Sequence, residues 1–156
     1  MRVGAKSSPG EVDIAAGPAT PSVSAKMICE DEALKDIEQV LGQHVTKPLV
    51  PTWNDHVYSC DYVFATGTIV LSVRELADDK SAQQFFDQLS TTRGSRNTIA
   101  LGDAAFQAND DSVVVRKDAK VLDVNVSRMP PVFGAFTHAN VGANVAAMIM
   151  GCWTGD

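Results

Sequence analysis

Two stretches carry an apolar side chain at every second position, and they constrain the fold more than anything else in the chain. In 68–75, Ile69, Leu71 and Val73 fall on one side, with Ser72 and Arg74 on the other. In 120–127, Leu122, Val124 and Val126 oppose Asp123, Asn125 and Ser127. A period of two marks an extended strand with one packed face and one wet face, an arrangement that an antiparallel sheet allows. Each stretch has a neighbour to pair with. Residues 57–64 read as a strand that enters the turn Ala65-Thr66-Gly67, and 112–117 as one that enters the short connection Asp118-Ala119. Both pairs read as hairpins. A brief strand over 104–107 follows the turn signal Gly102-Asp103.

Three segments carry helical periodicity. In 30–41, Ala33, Leu34, Ile37, Val40 and Leu41 recur on one face, acidic residues crowd the first turn, and Gly42 is the expected stop. In 79–91 the stripe is Ala82, Phe85, Phe86 and Leu89. In 138–150, behind Thr137 as N-cap, the expected inward face is Val141, Val145, Met148, Ile149 and Cys152. Residues 43–56, with Pro48 and Pro51, read as an extended connection, and Met129-Pro130-Pro131 breaks the last strand. The expected fold is α+β, helices packed on an antiparallel sheet in the order α-β-β-α-β-β-β-α. Residues 1–25 are dominated by Gly, Ala, Ser, Pro and Thr and read as a flexible linker or tail. A single domain is expected over 26–156, within the usual size range.

Composition narrows the function classes. The formal net charge is −6 and the pI about 4.9, which argues against a nucleic-acid surface or a polybasic membrane patch. No apolar run is long enough for a transmembrane segment, and 1–25 contains no hydrophobic signal core. No GxSxG, HExxH or phosphate-binding glycine loop is present. His44, His56 and His138 sit in loops or at a helix start, and Asp55 and His56, adjacent at a strand entry, point to opposite faces. The pairs Asp78-Asp79 and Asp110-Asp111 read as solvated turn and helix-start acids, so neither a metal nor a cofactor is expected, and no catalytic residue is assigned.

Cys29, Cys60 and Cys152 form no CxxC pair. They allow three single-bridge pairings, or three reduced thiols in a cytosolic protein. Loop-closure entropy does not choose, because the shorter and longer loops differ by only about 1 kcal/mol. The aromatic residues Tyr58, Tyr62 and Phe64 share one strand face with Cys60 between them. Core packing accounts for such a stripe; the functional alternative is the apolar wall of a ligand cleft formed by Trp53, Tyr58 and Tyr62, with Trp53 or a tyrosine hydroxyl at its mouth.

Several stretches together resemble a group of small actinobacterial lipoproteins and secreted proteins of unknown function. They are Ile28-Cys29-Glu30-Asp31-Glu32, Trp53-Asn54-Asp55-His56-Val57-Tyr58-Ser59-Cys60-Asp61-Tyr62, residues 69–75, Leu101-Gly102-Asp103-Ala104-Ala105-Phe106, Val115-Arg116-Lys117, Val121-Leu122-Asp123-Val124 and the ending Cys152-Trp153-Thr154-Gly155-Asp156. The resemblance covers nearly all of 27–156 and rests on framework motifs, not catalytic ones. It implies an extracytoplasmic protein, secreted or tethered to the outer face of the membrane, with any lipid anchor upstream of residue 1. It also implies a Cys29–Cys60 disulfide, which leaves Cys152 as a thiol packed on the last helix. The expectation is a non-catalytic extracytoplasmic binding or sensor domain, associated with the cell envelope, whose partner is a small molecule or an envelope protein. The alternative is a structural or protein-interaction module of the envelope, which would present a flat apolar patch. An enzyme would need a cleft with convergent titratable groups of perturbed pKa.

Overall fold

The structure, a computed structural model, describes residues 14–153. In chain order the elements are α1 (Val23–Met27), α2 (Asp31–Leu41), β1 (Thr52–Asn54), β2 (Val57–Val63), β3 (Thr68–Glu75) and α3 (Asp79–Arg93). There follow β4 (Ser95–Ile99), β5 (Ala104–Ala108), β6 (Val113–Lys117), β7 (Lys120–Arg128), β8 (Val132–Phe133), β9 (Phe136–Thr137) and α4 (His138–Cys152). Seven strands form one antiparallel sheet in the order β1-β2-β3-β7-β6-β5-β4, and β8 pairs with β9 beside it. The fold is thus mixed α+β, with helices against the sheet. Two meanders, β1-β2-β3 and β4-β5-β6-β7, meet along the β3–β7 seam, where Leu71 faces Val124 and Val73 faces Leu122.

The alternating residues do what their period requires. Ile69, Leu71, Val73, Leu122, Val124 and Val126 point to the first face and are at most 1% exposed. There they meet Ala25 and Ile28 around α1, Ile37 and Leu41 of α2, and Val141, Val145 and Ile149 of α4 in one core. Full burial of each large side chain is worth about 1.5–3 kcal/mol, which is what fixes these helices to the sheet. Gly42 ends α2 in the left-handed region at φ 68°, a conformation other residues adopt only at a cost. The α4 N-terminus is held by Asn140, whose Oδ1 accepts the Thr137 N–H at 2.8 Å.

The second face is only half wet. Helix α3, capped by Asp78 accepting the Ser81 N–H at 2.8 Å, lies over β5, β6 and β7. It buries Ala82 and Phe86 against Phe106, Val114 and Val121 in a smaller core. Among the described residues, no helix covers the second face of β1–β3 in this way.

Several expectations need correction. The sheet gains β1 and β4 as edge strands, and a short α1 precedes the first expected helix. The linker assignment fails for its described part, 14–25; residues 1–13 lie outside the described residues. Ala16 bridges to Leu76, Ala19 O accepts the Trp53 Nε1–H at 2.8 Å, and Pro18 O lies 2.8 Å from His56 Nδ1. The Ser22 N–H donates to the buried Glu75 carboxylate at 2.6 Å, and Ala25 is fully buried. A Cβ at Gly17 would lie 2.4 Å from Glu75 O. The glycine there permits close backbone approach, so a composition that resembles a linker serves a docked strap. On α4, Gly142 and Ala146 join the buried face, Met148 is only half-buried and Cys152 is exposed. Partial burial, with the charges of Asp36 and Glu32 adding to it, pushes its thiol up.

Candidate functional site

Cys29 and Cys60 are bridged, with Cα atoms 6.1 Å apart and a separation of 31 residues. The bridge ties the α1–α2 junction to the middle of β2. Tyr62 lies beside it, fully buried, and its hydroxyl donates to Ile28 O at 2.7 Å. Burial, with Glu38 adding to it, pushes that hydroxyl far above its ordinary value. Tyr62 therefore belongs to the core and lines no cleft. Trp53, partly exposed on β1, spends its indole N–H on Ala19 O and meets His56 edge-on at 6.1 Å. Tyr58 packs at the margin of the main core, with its hydroxyl raised by burial and then by Glu30. Of the three aromatic residues expected as a cleft wall, Trp53 and Tyr58 face each other across β1–β2, Trp53 holding the N-terminal strap and Tyr58 packing at the core margin, while Tyr62 lies in the core beside the disulfide.

The histidines are likewise engaged in structure. His44 is an exposed neighbour of Glu38. Asp55 and His56 form the two-residue turn between β1 and β2, both at positive φ. The histidine–carboxylate pair that sequence adjacency did not reveal is His138 with Asp111, at 2.6 Å. Asp111 also pairs with Arg96, and Gln107 Nε2 donates to Ala139 O at 2.7 Å. This cluster clamps the β5–β6 turn to the start of α4. Among the described residues no three His, Cys, Asp or Glu side chains are grouped to hold a metal ion. No described helix is long and apolar enough to cross a membrane.

The arrangement that offers binding chemistry lies on the second face, where α3 stops covering the sheet. A groove of about 220 Å³ runs between α3 and the open half-sheet, lined by Val57, Ser72, Arg74, Phe85, Leu89, Val121 and Asp123. Its floor follows directly from register. Ser72 faces Asp123 across β3–β7, and Arg74 sits between Val57 and Val121. Its wall is the flank of α3, where Phe85 and Leu89 project beyond the buried Ala82 and Phe86.

Charge in this groove is incompletely matched. Arg93, the last residue of α3, donates from Nη1 to Asp123 Oδ2 at 2.5 Å, and its Nη2 lies 3.8 Å from Asp110 Oδ2. Arg93 Nη2, Asp123 Oδ1 and Arg116 Nε are buried and find no hydrogen-bond partner among the described residues. Each such atom costs about 1–3 kcal/mol, and all three belong to residues around α3. Burial pushes the Asp123 carboxyl up against the downward pull of Arg93. Arg74 lies with its guanidinium 4.8 Å from the Phe85 ring centroid and donates to Asp55 O at 3.3 Å. It pairs with no carboxylate among the described residues.

Two other cavities flank this system. One of about 540 Å³ lies on the opposite side of α3, lined by Phe86, Ser90 and the β4–β5 region. Another, of about 290 Å³, lies toward the β1 edge between Lys47, Pro48 and Asp61. Neither contains a buried charge with an unused acceptor. Sequence reading assigned Arg74 and Asp123 to a wet face and Phe85 to a core stripe. The signal available was the width of that stripe, two adjacent aromatic residues on a helix that needs only one to reach the sheet. No family model, no curated protein and no solved structure matches the chain.

Proposed function

We propose that the chain is a non-catalytic extracytoplasmic binding domain of the cell envelope, with the groove between α3 and the β2–β3 half-sheet as its ligand seat. The observation that carries this reading is the groove itself: an apolar wall, a polar floor and the half-buried Asp123 carboxylate, whose Oδ1 has no partner among the described residues, converge there. The Cys29–Cys60 bridge supports an oxidising compartment, and the resemblance to secreted and lipid-anchored actinobacterial proteins points the same way. The non-catalytic part of the reading rests on how the polar residues are used. His138 and Asp111 hold a turn against a helix, and the one hydroxyl lining the groove, Ser72, has no histidine among the other lining residues to activate it.

A purely structural module would present one flat apolar patch. The second face offers instead a concave groove with both charged and apolar lining residues. The test is recovery of bound small molecules. Oxidised protein purified from an envelope fraction is examined by native mass spectrometry beside Ser72→Trp, which fills the groove. A compound carried by the parent protein and lost from the variant is the expected result. Equal recovery from both, or none from either, overturns the reading.

A further inference from the structure

We propose that the groove selects a small zwitterion, an α-amino acid or close relative, with its ammonium group at Asp123 and Ser72 and its carboxylate at Arg74. This inference rests on the groove being the ligand seat. Arg74 and Asp123 are diagonal neighbours on the same face of adjacent strands, two residue pairs apart in the β3–β7 register. Sheet geometry sets such diagonal neighbours about 7–8 Å apart, with their Cβ atoms somewhat closer. They do not pair with each other among the described residues, yet both line the same groove. A ligand carrying opposite charges on neighbouring atoms spans such a gap.

The capacities match on both sides. A carboxylate offers about four acceptor sites, and Arg93 is the one side chain donating to Asp123 among the described residues. The Asp123 side chain keeps 23% of its surface exposed, and rotation about Cβ–Cγ, a soft torsion, presents either oxygen to the groove. Arg74 commits one donor to Asp55 O and stacks on Phe85, which leaves the remaining edge of its planar fork for a carboxylate. Phe85, Leu89, Val57 and Val121 supply the apolar contact for a side chain.

Other ligand classes fit less well. A phosphate or simple carboxylate meets Asp123, and a bare amine meets Arg74 and Arg93. An uncharged apolar ligand would desolvate all of them without compensation. A groove of about 220 Å³ also falls below the roughly 300–1,000 Å³ that drug-sized ligands occupy.

The experiment is an amide NMR titration of the oxidised protein with the proteinogenic L-amino acids. The best binder is then compared with its N-acetyl and carboxamide derivatives. The expected result is saturable, millimolar-or-tighter binding that shifts groove amides in β3 and α3, weakened about tenfold or more by either derivatisation. Arg74→Gln weakens the free amino acid and leaves its carboxamide unaffected; Asp123→Asn weakens the free amino acid and leaves its N-acetyl form unaffected. Where Asp123→Asn does not fold, because Arg93 loses its partner, the Arg74→Gln series and the derivatised probes decide. Derivatives that bind the groove as well as the free amino acid overturn the zwitterion assignment and leave the groove standing as the ligand seat. No amino acid moving any groove amide overturns the assignment as well. The ligand seat itself falls if the Ser72→Trp comparison also gives equal recovery from both proteins or none from either.

Discussion

Removing the Cys29–Cys60 bridge tests how the first-face helices are held. The perturbation is Cys29→Ala with Cys60→Ala. The bridge closes a loop of 31 residues, and the chain-entropy estimate for that length is about 3.5–4 kcal/mol. Cys60 is 3% and Cys29 8% exposed, so the lost sulfur packing adds on the order of 1 kcal/mol. The expected cost of about 4–5 kcal/mol is a large part of the roughly 5–15 kcal/mol that keeps a domain folded. Urea unfolding followed by far-ultraviolet circular dichroism reads it, with linear extrapolation to water. Reductant should lower the parent midpoint similarly. A loss below about 1 kcal/mol refutes the reasoning. It would mean that the Tyr62–Ile28 hydrogen bond and the Trp153 Nε1 bond to Ser24 O, both 2.7 Å, already pin the α1–α2 region without help.

Three further outcomes follow from particular contacts. Ala119 holds φ 60° in the β6–β7 turn, so Ala119→Gly should raise stability by about 1 kcal/mol in the same assay; an unchanged midpoint would mean the strain is absent. A chain starting at residue 23 should unfold at lower urea than one starting at residue 14, since it lacks the strap over Glu75, Trp53 and His56; equal midpoints would restore the linker reading. The pH profile has two signs. Asp78 is held below its ordinary 3.8 by the Ser81 backbone and side-chain bonds. Asp110 is held below 3.8 because the Ser112 bonds and Arg93 together outweigh burial. Their stabilisation is present above 3.8 and lost as pH falls through the lower folded values. Asp123 is shifted upward by burial from 3.8, so its contribution is full below 3.8 and lost as pH rises through the raised value. Asp123→Asn should flatten that second limb in a pH series of thermal midpoints, and an unaltered profile would remove Asp123 as its source.

The α+β class was legible because β3 and β7 each carry an apolar residue at every second position and sit side by side at the seam of the sheet. Phe86 and Ala82 likewise announced the packed stripe of α3. The edge strands were not legible: Thr52-Trp53-Asn54 and Ser95–Ile99 pair on one side only and carry no alternating apolar pattern. The Asp55-His56 turn has two left-handed residues and no glycine, so turn chemistry gave no sign of it. The strap was misread because Gly17 and its neighbours dock through backbone groups, which composition does not register. The groove depends on α3 crossing half of a face. That crossing brings Arg74, Phe85, Asp123 and Arg93 together from three elements, and no local pattern encodes it.

The most direct measurement of the central claim is an amide NMR map of the oxidised domain, recorded with and without the low-molecular-weight fraction of an envelope extract. The account predicts perturbations concentrated at Val57, Ser72, Arg74, Phe85, Leu89 and Asp123, the residues around the groove, and their loss in Ser72→Trp. Perturbations confined to other surfaces, or a spectrum that does not change, would contradict it.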